Sequence, residues 1–194
     1  ECFKSTLLGL LLNEQRREGS KQARGIACGG FRSIMVKLAE RTSTKRIQFT
    51  TTRFGQVEID EANVIRFVDE IPGFPETERF ILIPHKEDSP FAWLQSVDAP
   101  DVAFVVTDPW LFFENYKPTV NEIDLEKLEV AGGAEDSSDE GWVMLSILTI
   151  PKDPKKMTAN LKAPVIINTR NNTAKQVILS SEDYTTKHRL FNRS

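Results

Sequence analysis

The chain has 194 residues, room for one ordinary domain, and its 40% hydrophobic content is enough for a core. Its formal net charge of −3 hides an asymmetry: residues 1–49 hold ten Lys/Arg against four Asp/Glu, and residues 50–194 hold fifteen against twenty-four. The body therefore carries −9, a field that repels polyanions, so a direct nucleic-acid role needs a local basic patch.

Both cysteines, Cys2 and Cys28, precede the acidic body. That placement provides no disulfide framework and no zinc spacing, and it suits a reducing compartment. The Leu7–Leu12 run is too short to span a bilayer, and basic and polar residues follow it where a signal peptide would have small ones. Residues 1–44 read as a basic extension. Within it, residues 1–34 show no sustained period and are expected to be disordered or to reflect an upstream start, with Met35 opening a more coherent stretch.

From Lys45 the pattern becomes that of strands, and residues 45–194 form the expected domain. Ile47, Phe49 and Thr51 alternate, Phe54-Gly55 turns the chain, and Val57 and Ile59 alternate again, which predicts a hairpin. Residues 64–68 read as a short strand, Pro72-Gly73 as a turn, and residues 79–83 as the next strand. Residues 91–97 and 102–107 are aromatic-rich runs joined by the turn Asp98-Ala99-Pro100-Asp101. The second, VAFVV, is apolar on both faces and reads as a central strand. Residues 122–130 offer one or two helical turns through Ile123, Leu125 and Leu128, with Asp124 as a candidate cap. Residues 131–141 are an acidic, glycine-rich loop. Residues 142–150, 164–168 and 175–179 are the closing strands, the last two joined by TRNNTA. Short strands with almost no helix, and no internal repeat, predict an all-β fold: a compact antiparallel barrel-like single domain with at most one or two short helices.

No constellation for catalysis emerges. The body has no cysteine, and Ser89, Ser96 and Ser146 stand in no nucleophile motif. His85 and His188 are the only histidines, so a metal site of three or four ligands would have to be completed by carboxylates or asparagine. The chain reads as a binding module, not an enzyme, with no cofactor and no metal. Trp110, Phe112, Phe113 and Tyr116, within WLFFENY, cannot all point into one core. They are the candidate partner surface, the alternative being a loop that plugs a barrel end. Gln95 and Asn160 are expected as hydrogen-bonded polar groups at the core margin, with Met157 and Leu161 pinning the loop around Asn160.

Three segments together carry a family resemblance: TIPKDPKKMTANLKAPVIIN (residues 149–168), GFPETERFILIPHKEDSPFAWLQSVDAPDVAFVVTDP (73–109) and KQVILSSEDYTTKHRLF (175–191). From about Thr51 to Phe191 the chain resembles the FliW flagellar assembly factor family. The resemblance implies a cytoplasmic, non-enzymatic, compact β-barrel. It also implies two protein partners: the translational regulator CsrA, whose repression of flagellin mRNA translation would be relieved allosterically, and flagellin as the competing partner. Neither a membrane nor direct nucleic-acid binding is implied. The acidic residues Glu135, Asp136, Asp139 and Glu140 are expected to assist by electrostatic repulsion and steering. The alternative is a small β-barrel RNA-binding module using Lys152, Lys155, Lys156 and Lys162 of the loop spanning residues 152–162. The N-terminal extension, the acidic loop and the short polar tail depart from the family pattern.

Overall fold

The computed structural model describes residues 43–86, 89–130 and 141–191. The extension over residues 1–44 and the acidic loop thus lie almost wholly outside the described residues. The predicted hairpin is present: β1 (Arg46–Thr51) and β2 (Gly55–Asp60) pair antiparallel from Arg46 opposite Asp60 to Thr51 opposite Gly55. Gly55 takes φ +69°, the left-handed residue that a three-residue hairpin loop requires. The hairpin stays outside the main sheet and is tied to it at its tip. Thr52 N donates to Pro100 O at 2.9 Å, the Phe54 ring meets Trp93 at 6.0 Å, and the Arg53 guanidinium lies 4.0 Å above that indole.

The remaining strands are β3 (Ile65–Phe67), β4 (Arg79–Pro84), β5 (Phe91–Ser96), β6 (Ala103–Thr107), β7 (Trp142–Thr149), β8 (Thr158–Ala159), β9 (Val165–Asn168), β10 (Thr173–Gln176) and β11 (His188–Arg189). Seven of them close a barrel in the order β7-β6-β5-β4-β3-β10-β9 and back to β7. The fold is all-β, as expected, with one departure from antiparallel pairing: β10 runs parallel to β3, with Thr173 opposite Arg66 and Ala174 opposite Phe67. This pair joins the first and last strands of the barrel. Local periodicity carries no information about the relative direction of strands so distant in the chain.

The alternation of the strands sorts the core into two layers. Ile65, Phe67, Phe80, Ala92, Leu94, Val106, Val143, Leu145, Val165, Ile167 and Ala174 form one cluster, drawn almost entirely from strands and filling the barrel. Their neighbours in sequence, among them Phe91, Val105, Trp142, Met144, Leu148 and Ile166, face outward into a second cluster. That outer layer is completed by residues from loops and a helix: Tyr116, Val120, Leu125, Leu128, Met157, Leu161, Leu179 and Leu190. Both faces of β5–β7 are therefore buried, which explains why VAFVV reads as apolar throughout.

The helix α1 (Glu122–Lys127) is shorter than its periodic pattern, and its cap is Asn121, whose side chain accepts from Ile123 N at 2.9 Å. Asp124 instead lies inside the first turn and pairs with Lys175 Nζ at 2.8 Å; Lys175 also contacts Asp69. At the other end Asn168 Nδ2 donates to Leu128 O at 2.8 Å. The last barrel strand begins at Thr173, two residues before the expected boundary, because Asn172 takes φ +57° and shortens the hairpin loop.

Strand β7 changes partner along one edge. Residues Trp142 to Leu145 pair with β9, whereas Leu148 and Thr149 pair with β8. Ser146 stands at the changeover, fully buried, and its Oγ donates to Asn160 O at 2.7 Å. Asn160 Oδ1 accepts from Ala163 N at 2.9 Å, and Met157 and Leu161 are each 1% exposed, so the loop is pinned as expected. Gln95 lies deeper than the core margin: its Nε2 donates to Ser96 O and Val102 O, and its Oε1 has no partner.

Candidate partner-binding groove

The aromatic segment starts where β6 ends. Asp108 caps a single 3₁₀ turn, Pro109–Leu111, by accepting from Trp110 N at 2.8 Å, and Pro109 supplies the preset φ of a first helical residue. Burial pushes the Asp108 carboxyl up to about 6, while the backbone N–H groups of Trp110 and Leu111 pull it the other way. The segment then closes on itself: Phe113 N donates to Pro109 O at 2.9 Å, and Trp110 Nε1 donates to Tyr116 O at 2.9 Å.

The four predicted aromatics take different places. Tyr116 is 3% exposed, its hydroxyl donates to Leu161 O at 2.8 Å, and burial raises its phenol above the ordinary value. Trp110, Phe112 and Phe113 are half-buried against the outer core layer. Phe112 stacks on Phe91 at 5.8 Å and meets Phe191 edge-on at 6.3 Å. Phe113 meets His188 edge-on at 5.3 Å. The segment packs over the outer core layer through these rings, while its Leu111 packs against the cluster that fills the barrel.

Phe112, Phe113 and Tyr116, but not Trp110, line an open groove of about 400 Å³. Leu111, Glu114 and Asn115 come from the same segment; Leu161, Tyr184 and His188 form the rest of the lining. Tyr184 is held by a ring contact with Tyr116 at 4.7 Å and by accepting from Lys117 N at 2.9 Å. Sequence reasoning missed Tyr184 and His188. The only signal was an aromatic isolated in a polar stretch, SSEDYTTKH. The groove offers aromatic rings and a few convergent polar groups, a surface suited to holding a protein segment.

The loop lysines do not form one surface. Lys162 Nζ turns back to donate to Ser181 O at 2.7 Å and lies 3.6 Å from Glu182, while Lys152, Lys155 and Lys156 stay exposed. Glu135, Asp136, Asp139 and Glu140 lie outside the described residues. Among the described residues, no helix is long and apolar enough to cross a membrane.

The family model described as "FliW protein" matches residues 48–190. The chain belongs to the FliW family. Among its relatives, the flagellar assembly factor FliW of Thermoanaerobacter pseudethanolicus is 42% identical over 143 residues, covering 73% of this chain and 91% of the relative. That of Bacillus subtilis is 44% identical over 138 residues, covering 71% of this chain and 92% of the relative. A crystal structure of the flagellar assembly factor FliW superposes with a TM-score of 0.68 at 36% identity, covering 76% of this chain and 99% of that one. These relatives are flagellar assembly factors. The matched span contains all of the hairpin but its first two residues, the barrel strands and every residue lining the groove.

Proposed function

We propose that this FliW-family chain binds the translational regulator CsrA in the cytoplasm and relieves its repression of flagellin mRNA translation, with flagellin competing for it. Free flagellin would occupy the protein, release CsrA and lower flagellin synthesis; export of flagellin would reverse this. The observation that carries the reading is the aromatic groove built by Phe112, Phe113, Tyr116, Tyr184 and His188 on an acidic body that belongs to a family of assembly factors. Such a surface favours a protein partner, while the mean field of −9 opposes RNA. The antagonism would act on the conformational equilibrium of CsrA, with the acidic loop residues Glu135, Asp136, Asp139 and Glu140 repelling RNA phosphates nearby.

Calorimetric titration of the chain with CsrA, with flagellin and with flagellin leader RNA tests the proposal. Binding to both proteins and not to RNA is the expected result. RNA binding without protein binding would overturn it and make the exposed lysines Lys152, Lys155 and Lys156 the site to pursue.

A further inference from the structure

Strand β11 is the terminal strand of the main sheet. It pairs with β8 on one edge, and no described strand pairs with the other. Leu190 N donates to Met157 O at 3.0 Å, and His188 stands opposite Ala159. Successive residues of an antiparallel strand turn their backbone groups to opposite edges. With Leu190 and His188 bonded towards β8, Arg189 directs its N–H and C=O to the open side.

The two faces of this strand also differ. His188 and Leu190 point to the covered face, where His188 lines the groove and Leu190 joins the outer core layer. Arg189 points to the opposite, exposed face. Lys117, Lys187 and Arg189 are exposed, and none has an ion-pair partner among the described residues. An aromatic groove thus adjoins an open backbone edge with unpaired cations around it, on a body whose net charge is negative.

We propose that β11 is a docking edge: an extended protein segment, alternating acidic with bulky apolar residues, adds as a strand beside Arg189. Its backbone completes the Arg189 hydrogen bonds. Its apolar side chains lie over Phe113 and His188, and its carboxylates meet Arg189 and Lys187 on the other face. The inference rests on the reading of the groove as a partner site and specifies how the partner is held. A polypeptide fits this edge better than a nucleic acid. A phosphate can accept from the Arg189 N–H but offers nothing to its carbonyl, and Glu114 is the carboxylate within the groove lining. The brevity of β11 limits indiscriminate edge pairing, so affinity must come from the groove.

The test measures hydrogen exchange at the Arg189 amide in the full chain, alone and with four probes: CsrA, flagellin, a synthetic peptide of alternating aspartate and leucine, and a uridine oligonucleotide. Slower exchange with any of the three polypeptides, and weaker binding of that polypeptide by Arg189→Glu, is the expected result. Arg189→Pro removes the outward N–H together with the guanidinium and leaves the bonds of His188 and Leu190 towards β8 in place, so it should preserve the thermal transition and weaken that binding about tenfold or more. An unchanged rate with all three polypeptides, or slowing by the oligonucleotide alone, overturns the proposal. If both proteins fail to bind but the peptide slows exchange, the partner assignment falls and the docking edge stands.

Discussion

The Tyr116 hydroxyl donates to the carbonyl of Leu161 at 2.8 Å, joining residues 45 positions apart in a buried contact. This bond locks the aromatic segment onto the loop between β8 and β9, so the groove has a fixed wall before any partner arrives. Trp110 Nε1, bonded to the Tyr116 carbonyl, and Tyr184, packed against the Tyr116 ring, depend on the same anchor.

Tyr116→Phe keeps the ring and leaves the Leu161 carbonyl without its donor. A buried acceptor that loses its partner costs about 1–2 kcal/mol. For a domain of this size that corresponds to a drop in Tm of about 3–6 °C. Thermal unfolding followed by circular dichroism checks the figure. An unchanged Tm would mean that the bond contributes nothing to holding the wall.

Asp108 gives the fold a defined pH dependence. Burial raises its folded-state pKa to about 6, above the ordinary carboxylate value of 3.8. The folded state then holds the proton more tightly than the unfolded chain does. The associated stabilisation is complete below about pH 4 and is lost as pH rises through about 6, a loss of about 2–3 kcal/mol. Asn at this position keeps the capping acceptor and has no charge to desolvate. Asp108→Asn should therefore flatten the urea midpoint between pH 4 and pH 7 and raise stability at pH 7. Parallel curves for the two proteins would show that Asp108 titrates normally.

The hairpin, the barrel strands and the pinned loop were legible because each rests on local patterns: alternation in Ile47–Phe49–Thr51, a glycine at positive φ, and prolines bracketing the 151–154 turn. The parallel closure of β3 on β10 and the salt link from Lys175 to Asp124 were not, since both depend on partners distant in sequence. The same limit applies to the groove. One part of it, Phe112, Phe113 and Tyr116, was visible as an excess of aromatics. Another part, Tyr184 and His188, joins it only when the C-terminal segment crosses the outer face of the barrel. Asn121 displaced Asp124 as the helix cap because the chain turns helical three residues earlier than the acidic residue suggests.

Phe113 separates binding from folding. It is half-buried, and its described ring partner is His188 at 5.3 Å, not a core residue. Phe113→Ser should destabilise the fold by about 2 kcal/mol, because the ring is half-buried against the outer core layer. Affinity for a partner anchored in the groove should fall about tenfold or more, since aromatic anchors dominate such interfaces. Titrating wild type and variant with CsrA and with flagellin distinguishes the sites. Loss for one protein alone places that partner in the groove, and undiminished affinity for both removes the groove as the binding surface.

The acidic loop is expected to act at a distance through its field. Neutralising Glu135, Asp136, Asp139 and Glu140 together as Gln and Asn removes four negative charges from a body that carries −9. If those charges repel RNA from bound CsrA, the variant should weaken inhibition of RNA binding about threefold at low salt. The deficit should shrink at physiological ionic strength and above, where the screening length falls to about 8 Å or less. Affinity for CsrA itself should change less, because the groove contacts remain. The measurement is a competition assay in which labelled leader RNA is displaced from CsrA at several salt concentrations. A deficit that does not vary with salt would instead assign these residues to direct contact with the partner, and no deficit at all would leave the antagonism to conformational change alone.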